Sequence, residues 1–465
     1  MKSLLPTVLL LLLLGCGVPA STRDGEIARV LSHANELTAR TRPALLAGQY
    51  DRMATTPFEF YRGDVPIFRH DWETGRNSAS AFLGDLPPVW GLGDPHPENF
   101  AVLYAGDGTP GLEPNDFDSA DRVPYLFDLR RLVCGLGVGV RLSNSAADVA
   151  AVGQAGARSY ATTLSALANG TDAHRIVTDE GSAIVADVFR RAARDRASRS
   201  ELSSLTVVTG TQRTLIRGVL DPADPSQTFA DLPGFARDGL QAVVTQALGR
   251  DPRFTVLDAV REFGSGVASW PKVRMIVLVR GPTDALDDDA LLEVKELGES
   301  GLAGWYAPEL PALDTPARVL AALRRLWFRP DADPNWSTAV WGDLPLQVRT
   351  EADSNKNLRI SRWTGARATQ AELENAATVL GELLARMHSR SEHATVVAIA
   401  ATLNRDVDAF ASEQGAFADA CSTSTIDDFA AFGRDLTTLG PLLGYQPDST
   451  TQPAGPIAAL FGTPP

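Results

Sequence analysis

The stretch from Gly93 to Leu132 constrains this chain more than any other. It opens Gly93-Asp94-Pro95-His96-Pro97-Glu98-Asn99-Phe100 and runs through Ala101-Val102-Leu103-Tyr104 to a Gly/Asp turn and Leu112. Asn115-Asp116-Phe117-Asp118 follows, then Asp128-Leu129-Arg130-Arg131-Leu132. An apolar run of strand length, a glycine- and aspartate-bearing turn and a return strand predict a hairpin. A hairpin brings its two ends together, so Asn99 and Asp116 are expected at one edge of a sheet, with Asp94 beside them. Phe127 to Val140 reads as a buried helix beginning near Asp128.

These residue types in this order suit one chemistry. A transferring phosphoryl group needs its charge neutralised and its reactants held in line, with little covalent help. Asn99 offers a neutral carbonyl oxygen and Asp116 a carboxylate, both hard ligands suited to Mg2+, while Asp94 is placed to accept the proton of an attacking hydroxyl. Each piece alone also reads as a turn with an acidic cap. Asp94-Pro95-His96 matches the Asp-x-His opening of binuclear metallophosphoesterases as well, whose two metals need further His and Asp ligands. The six histidines, at 33, 70, 96, 174, 388 and 393, supply none of those contexts. His96 is therefore expected to fix its loop by hydrogen bonding.

Lysine usage points the same way. Of 43 basic residues only four are lysines, at 2, 272, 295 and 356. A compact ammonium on donor phosphates is one role in which arginine does not simply substitute. Lys295 ends the strand-like run Ala290-Leu291-Leu292-Glu293-Val294-Lys295, and Lys272 to Val279 reads as a mostly apolar strand. Just upstream, the backbone N–H groups of Gly264-Ser265-Gly266 are candidates to cover phosphates. The amphipathic helix expected over Thr315 to Trp327 holds Arg318, Arg324 and Arg325 but no glutamate to pair with Lys295, so Glu296 and Glu299 stand as substitutes.

Gly93 to Asn99, Asn115 to Asp118 and Asp128-Leu129 resemble the phosphate-loop series of aminoglycoside phosphotransferases and choline kinases. More closely, the chain resembles a bacterial family, domain of unknown function 2252, through Phe58-Glu59-Phe60-Tyr61-Arg62-Gly63, the central stretch and Lys295-Glu296. The resemblance implies an α+β, protein-kinase-like fold, with Asp94 as base, Asn99 and Asp116 on the metal, and Asp128 bracing the loop. It puts Lys295 and Lys356 at ATP, where the Gly264–Gly266 loop would cover the phosphates, and leaves Arg62 open between a phosphate contact and a salt bridge. In ordinary kinases the Gly-rich loop and lysine strand precede the catalytic stretch. Here they follow it, so a circularly permuted fold is expected. The expected function is Mg2+-dependent phosphoryl transfer from a nucleotide to a small hydroxyl or amine compound; the alternative is a non-catalytic envelope binding protein or pseudokinase of the same fold.

Met1-Lys2-Ser3, a short apolar run and Leu13-Leu14-Gly15-Cys16 resemble a bacterial lipobox, in which Cys16 is lipidated. That implies an extracytoplasmic protein of the cell envelope, touching the membrane only through its lipid. ATP is scarce there, which sets the address against the motif. Residues 16–24 read as a tether, 25–255 as a catalytic-loop and helical region, 256–365 as β-rich and nucleotide-lobe-like, and 366–465 as helical. Ala146 to Gly249 in particular reads as a helical substrate lobe. A net charge of −14 argues against nucleic-acid binding through a general basic surface. Cys134 and Cys421 are free to pair or not, and the oligomeric state is open.

Overall fold

The computed structural model describes residues 23, 25–198, 200–299, 301–302, 305, 314–352, 354–446 and 456–462. The leader, Cys16 and the tether apart from Arg23 lie outside them. Five helices come first: α1 (Glu26–Ala34), α2 (Glu36–Thr41), α3 (Pro43–Met53), α4 (Pro57–Gly63) and α5 (Val65–Glu73). Proline opens α3 and α4 and stands in the first turn of α5, where its missing N–H has no helical partner to lose.

Strand β1 (Val89–Gly91) pairs with β4 (Asp121–Val123), and between them β2 (Phe100–Tyr104) and β3 (Pro110–Pro114) form the expected hairpin, Phe100 opposite Pro114. Helix α6 (Tyr125–Ser143) follows and is buried along sixteen consecutive residues, Tyr125 to Val140, which is why its sequence is apolar nearly all round. It packs with α7 (Val149–Ala168) and with the late helices α12 (Gln370–His388), α13 (His393–Leu403) and α14 (Val407–Leu439) around one large apolar core. Cys134 on α6 and Cys421 on α14 are joined by a disulfide across a Cα separation of 5.6 Å.

The region expected to be helical from Ala146 to Gly249 is so only in part. After α8 (Ala183–Ser198) and α9 (Ser200–Leu205) come β5 (Thr206–Thr209), β6 (Gln212–Leu215), β7 (Gly218–Asp221) and β8 (Asp224–Asp231), and only then α10 (Gly234–Leu248). Thr206, Val207, Val208 and Thr209 before the Gly210 turn are β-branched and favour strand. Strands β7 and β8 join β9 (Val256–Phe263), β10 (Arg274–Val279) and β11 (Ala290–Glu296), so the β-rich region begins upstream of residue 256. After α11 (Thr315–Leu326), β12 (Ser337–Trp341) and β13 (Leu344–Thr350) complete a seven-stranded antiparallel sheet in the order β12-β13-β11-β10-β9-β8-β7. Leu240, Val243 and Val244 of α10 cover the apolar face made by Met275, Val277, Leu292, Val294 and Val348. The short β14 (Lys356–Asn357) then crosses to pair with β2. The fold is mixed α+β with antiparallel sheets, as expected, and among the described residues no helix is long and apolar enough to cross a membrane.

Because the disulfide closes a chain separation of 287 residues, reducing it or introducing Cys421→Ser is expected to lower the unfolding free energy by about 2–5 kcal/mol. Urea titration with and without reductant measures this, and coincident curves would show that the bond adds nothing to stability.

Candidate functional site

The central loop is held from behind by α6. Asp128, in its first turn, accepts hydrogen bonds from Leu92 N at 2.6 Å and Gly93 N at 2.9 Å, and His388 Nε2 lies 3.3 Å from its Oδ2. Gly93 has φ of +76°, and a Cβ there would sit 2.2 Å from Ser119 O, so the turn admits no side chain. One helical turn beyond Asp128, the fully buried Arg131 reaches the same loop. Its Nε lies 2.7 Å from Asp94 Oδ1, its Nη1 2.5 Å from Asp64 Oδ1, and its Nη2 donates to Tyr61 O. The guanidinium lies 3.6 Å from the centre of the Tyr61 ring. Burial raises the Asp94 pKa, and Arg131 pulls against that rise.

The hairpin brings the metal-ligand candidates together. Asn115 N donates to Asn99 O at 2.9 Å, closing its open end. Asn99 Nδ2 donates to Asp94 O at 2.8 Å, which leaves the amide oxygen as the atom that could face a metal. The Asp116 side chain is 40% exposed on the cleft. Among the described residues no group of three or more His, Cys, Asp or Glu is gathered for a metal. Mg2+ usually takes one or two carboxylates plus phosphate and water oxygens, so a partly exposed Asp116 in the same cleft as the Asn99 amide fits that ion.

Lys295 arrives from the sheet, its Nζ 3.8 Å from Asp116 Oδ1 and 3.2 Å from Asp118 Oδ2. Lys272 meets the same carboxylate, its Nζ 2.7 Å from Asp118 Oδ2. Burial would raise the Asp118 pKa, but the two ammonium groups hold it below the ordinary carboxylate range. The strand expected to include Lys272 begins at Arg274, so Lys272 lies in the β9–β10 connection and reaches across the cleft. Glu296 is not the partner of Lys295. Adjacent strand residues face opposite ways, and Glu296 pairs with Arg42 at 2.6 and 2.7 Å. The glutamate-free helix α11 serves the loop instead: Arg318 donates to Asp118 O at 3.0 Å, to Gly298 O at 3.1 Å and to Ala120 O.

Gly264, Ser265 and Gly266 form the turn after β9 and line the same cleft, about 1960 Å³ in volume, as Asp94, Asn99, Asp116 and Lys295. Ser265 Oγ is 2.9 Å from Arg274 Nη1. Arg62 also lines the cleft but pairs with Glu59 at 3.0 Å and stands 3.7 Å from Glu98. His96 is buried, with Nε2 3.7 Å from Asp94 Oδ2 and Nδ1 without a hydrogen-bond partner, so the loop-fixing bond expected of it is not made. Burial, with Arg62, Arg131 and Arg359 nearby, keeps its pKa well below the ordinary value. Lys356 stays apart from the group, 3.3 Å from both Asp195 and Glu201 and not among the cleft-lining residues. Sequence reasoning passed over Arg131, Asp118 and Lys272 as site residues. Two signals were present: Arg131 stands three residues after Asp128 on one helix face, and Lys272 is one of the few lysines.

A family model described as "Uncharacterized protein conserved in bacteria (DUF2252)" matches residues 40–435. No curated protein and no solved structure matches the chain.

Asp128→Ala strands two buried N–H donors and is expected to cost about 2–5 kcal/mol of stability. An unchanged denaturation midpoint would refute that bracing. His96, neutral in the fold, takes up a proton only in the unfolded chain as pH falls below the ordinary imidazole value of about 6.5. Stability is therefore expected to fall by up to about 1.4 kcal/mol per pH unit below that point, and His96→Gln to remove this component of the slope. Denaturant titrations of both proteins between pH 7 and 5 would show the difference, and parallel slopes would contradict a neutral His96.

Proposed function

The chain belongs to the bacterial DUF2252 family, and for it we propose Mg2+-dependent phosphoryl transfer to a small hydroxyl or amine compound. The fold proposed is protein-kinase-like and circularly permuted. The observation that carries this reading is the meeting of Lys295 with Asp116 and Asp118, residues nearly 180 positions apart, in a cleft that Asp94, Asn99 and the Gly264–Gly266 turn also line. The order of parts supports it: a glycine-bearing hairpin, a strand carrying the lysine, then a helix, as in the nucleotide half of a kinase.

In this reading Asp94 accepts the proton of the acceptor hydroxyl. Arg131 holds Oδ1, so Oδ2 is the receiving atom, and burial favours the protonated product. Asn99 and Asp116 would hold Mg2+, which when bound would supply neutralisation of the donor's phosphate charge. Lys295 holds the donor, and backbone N–H groups of the Gly264–Gly266 turn cover it. Lys356 and Glu296 have no part in it. Lipidation of Cys16 and an extracytoplasmic site belong to the same proposal, and a disulfide suits an oxidising compartment.

The soluble chain from Gly17 is expected to show a magnesium-dependent rise in melting temperature with ATP that is absent in Asp116→Asn. With an acceptor in hand, Asp94→Ala is expected to lower kcat by about 10²–10⁴-fold. Stabilisation that ignores both magnesium and the Asp116 substitution would overturn the metal assignment, and full turnover by Asp94→Ala would remove the base.

A further inference from the structure

Sites for planar bases offer apolar or aromatic surface with a few placed polar groups. The sheet face beside Lys295 offers charge instead. Lys295 stands in register with Arg274 on β10, and Arg274 with Glu262 on β9. Two residues back on the same face, Glu293 is 1% exposed, with Arg274 Nη1 2.8 Å from its Oε2 and Arg349 Nε 2.7 Å from its Oε1. Burial works against its charge, yet Arg274, Arg349 and Lys295 keep its pKa down. Arg349 also reaches Asn115 Oδ1 at 3.2 Å, tying this network to the metal-ligand edge. Separating one member of a buried ion pair is costly, so a base has no cheap way to displace these groups. The apolar remainder of that face, Ile276, Leu278 and Leu291, packs against the chain's own Leu202, Leu215 and Phe229, and the two of these that reach the cleft wall, Ile276 and Phe229, are each only 2% exposed.

What the site does bring together is two compact ammonium groups. Of the three lysines outside the leader, two converge on Asp118 at 2.7 and 3.2 Å, beside an exposed Asp116. A polyanion chelating a metal at Asp116 would compete with Asp118 for both ammonium groups.

We infer that the donor taken here is an inorganic phosphoanhydride, pyrophosphate or a short polyphosphate, with Lys272 a second phosphate ligand beside Lys295. This rests on the phosphotransfer reading above. In the step, the acceptor oxygen bonds to the terminal phosphorus and the bridging P–O bond breaks. The bridging oxygen leaves with the electron pair as the shortened phosphate chain, and the hydroxyl proton passes to Asp94. Such a donor does not depend on ATP outside the cytoplasm.

Calorimetric titration of the chain from Gly17 with tripolyphosphate, ATP and adenosine, each with Mg2+, tests this. Tripolyphosphate is expected to bind at least as tightly as ATP, and adenosine neither to bind nor to compete. Lys272→Ala, and the length-preserving Lys272→Gln should the first melt early, are expected to weaken tripolyphosphate by about tenfold or more. ATP binding about tenfold tighter than tripolyphosphate, or displacement of tripolyphosphate by adenosine, would show a base pocket and overturn the inference while leaving phosphotransfer with a nucleotide donor. Tripolyphosphate affinity unchanged in both Lys272 variants would overturn the role of Lys272. Failure of both triphosphates to bind with magnesium would overturn the phosphotransfer reading itself.

Discussion

One helical turn of α6 holds the centre of this molecule. Asp128 takes the N–H groups of Leu92 and Gly93, and Arg131 takes the side chain of Asp94. Both are buried, so neither interaction is diluted by water, and each would leave stranded polar groups if its partner were lost. The loop from Leu92 to Asn99 is thereby fixed to a helix that is itself packed on α7 and α14 and cross-linked to α14 through Cys134. Everything on the cleft side depends on that anchorage: Asp94 presents one free carboxylate oxygen, Asn99 is turned by its bond to Asp94 O, and the hairpin sets Asp116 opposite.

The cleft is assembled from two cores that solve different problems. The helical core is apolar and continuous, and it serves as a rigid back wall. The sheet has an apolar face sealed by α10 and an opposite face on which Glu293 is buried and Glu262, Arg274 and Arg349 are partly buried near Lys295. Ion pairs with a buried member add little net stability, but they are expensive to open. Lys295 and Lys272 belong to that charged face and its adjoining loop, and their meeting with Asp118 ties them to the segment that follows the β2–β3 hairpin.

The hairpin was legible because its continuous apolar run, its turn and its flanking Asp and Asn residues all agree locally. The helix carrying Asp128 was legible from its apolar run, and Lys295 from the rarity of lysine. The partner of Lys295 was not, since a glutamate next in sequence lies on the opposite face of a strand and a carboxylate far away in the chain lies against it. The β5–β8 segment was missed because its strands are short, polar and partly exposed, which hides their period. Lys356 illustrates the converse: a plausible basic residue near the right strands, drawn off by Asp195 and Glu201.

The amino-acid sequence by itself determined the local elements and the chemistry they carry: a β-hairpin with Asp94, Asn99 and Asp116 at its open end, a glycine-bearing turn, and a lysine at the end of a strand. These follow from short-range periodicity and residue type. Only the tertiary structure decided that Arg131 grips Asp94, that Lys272 and Lys295 share Asp118, that Cys134 pairs with Cys421, and that the sheet beside the lysines is charged. Such pairings join positions far apart in the chain, and which charges meet is set by strand register and helix packing rather than by any local pattern.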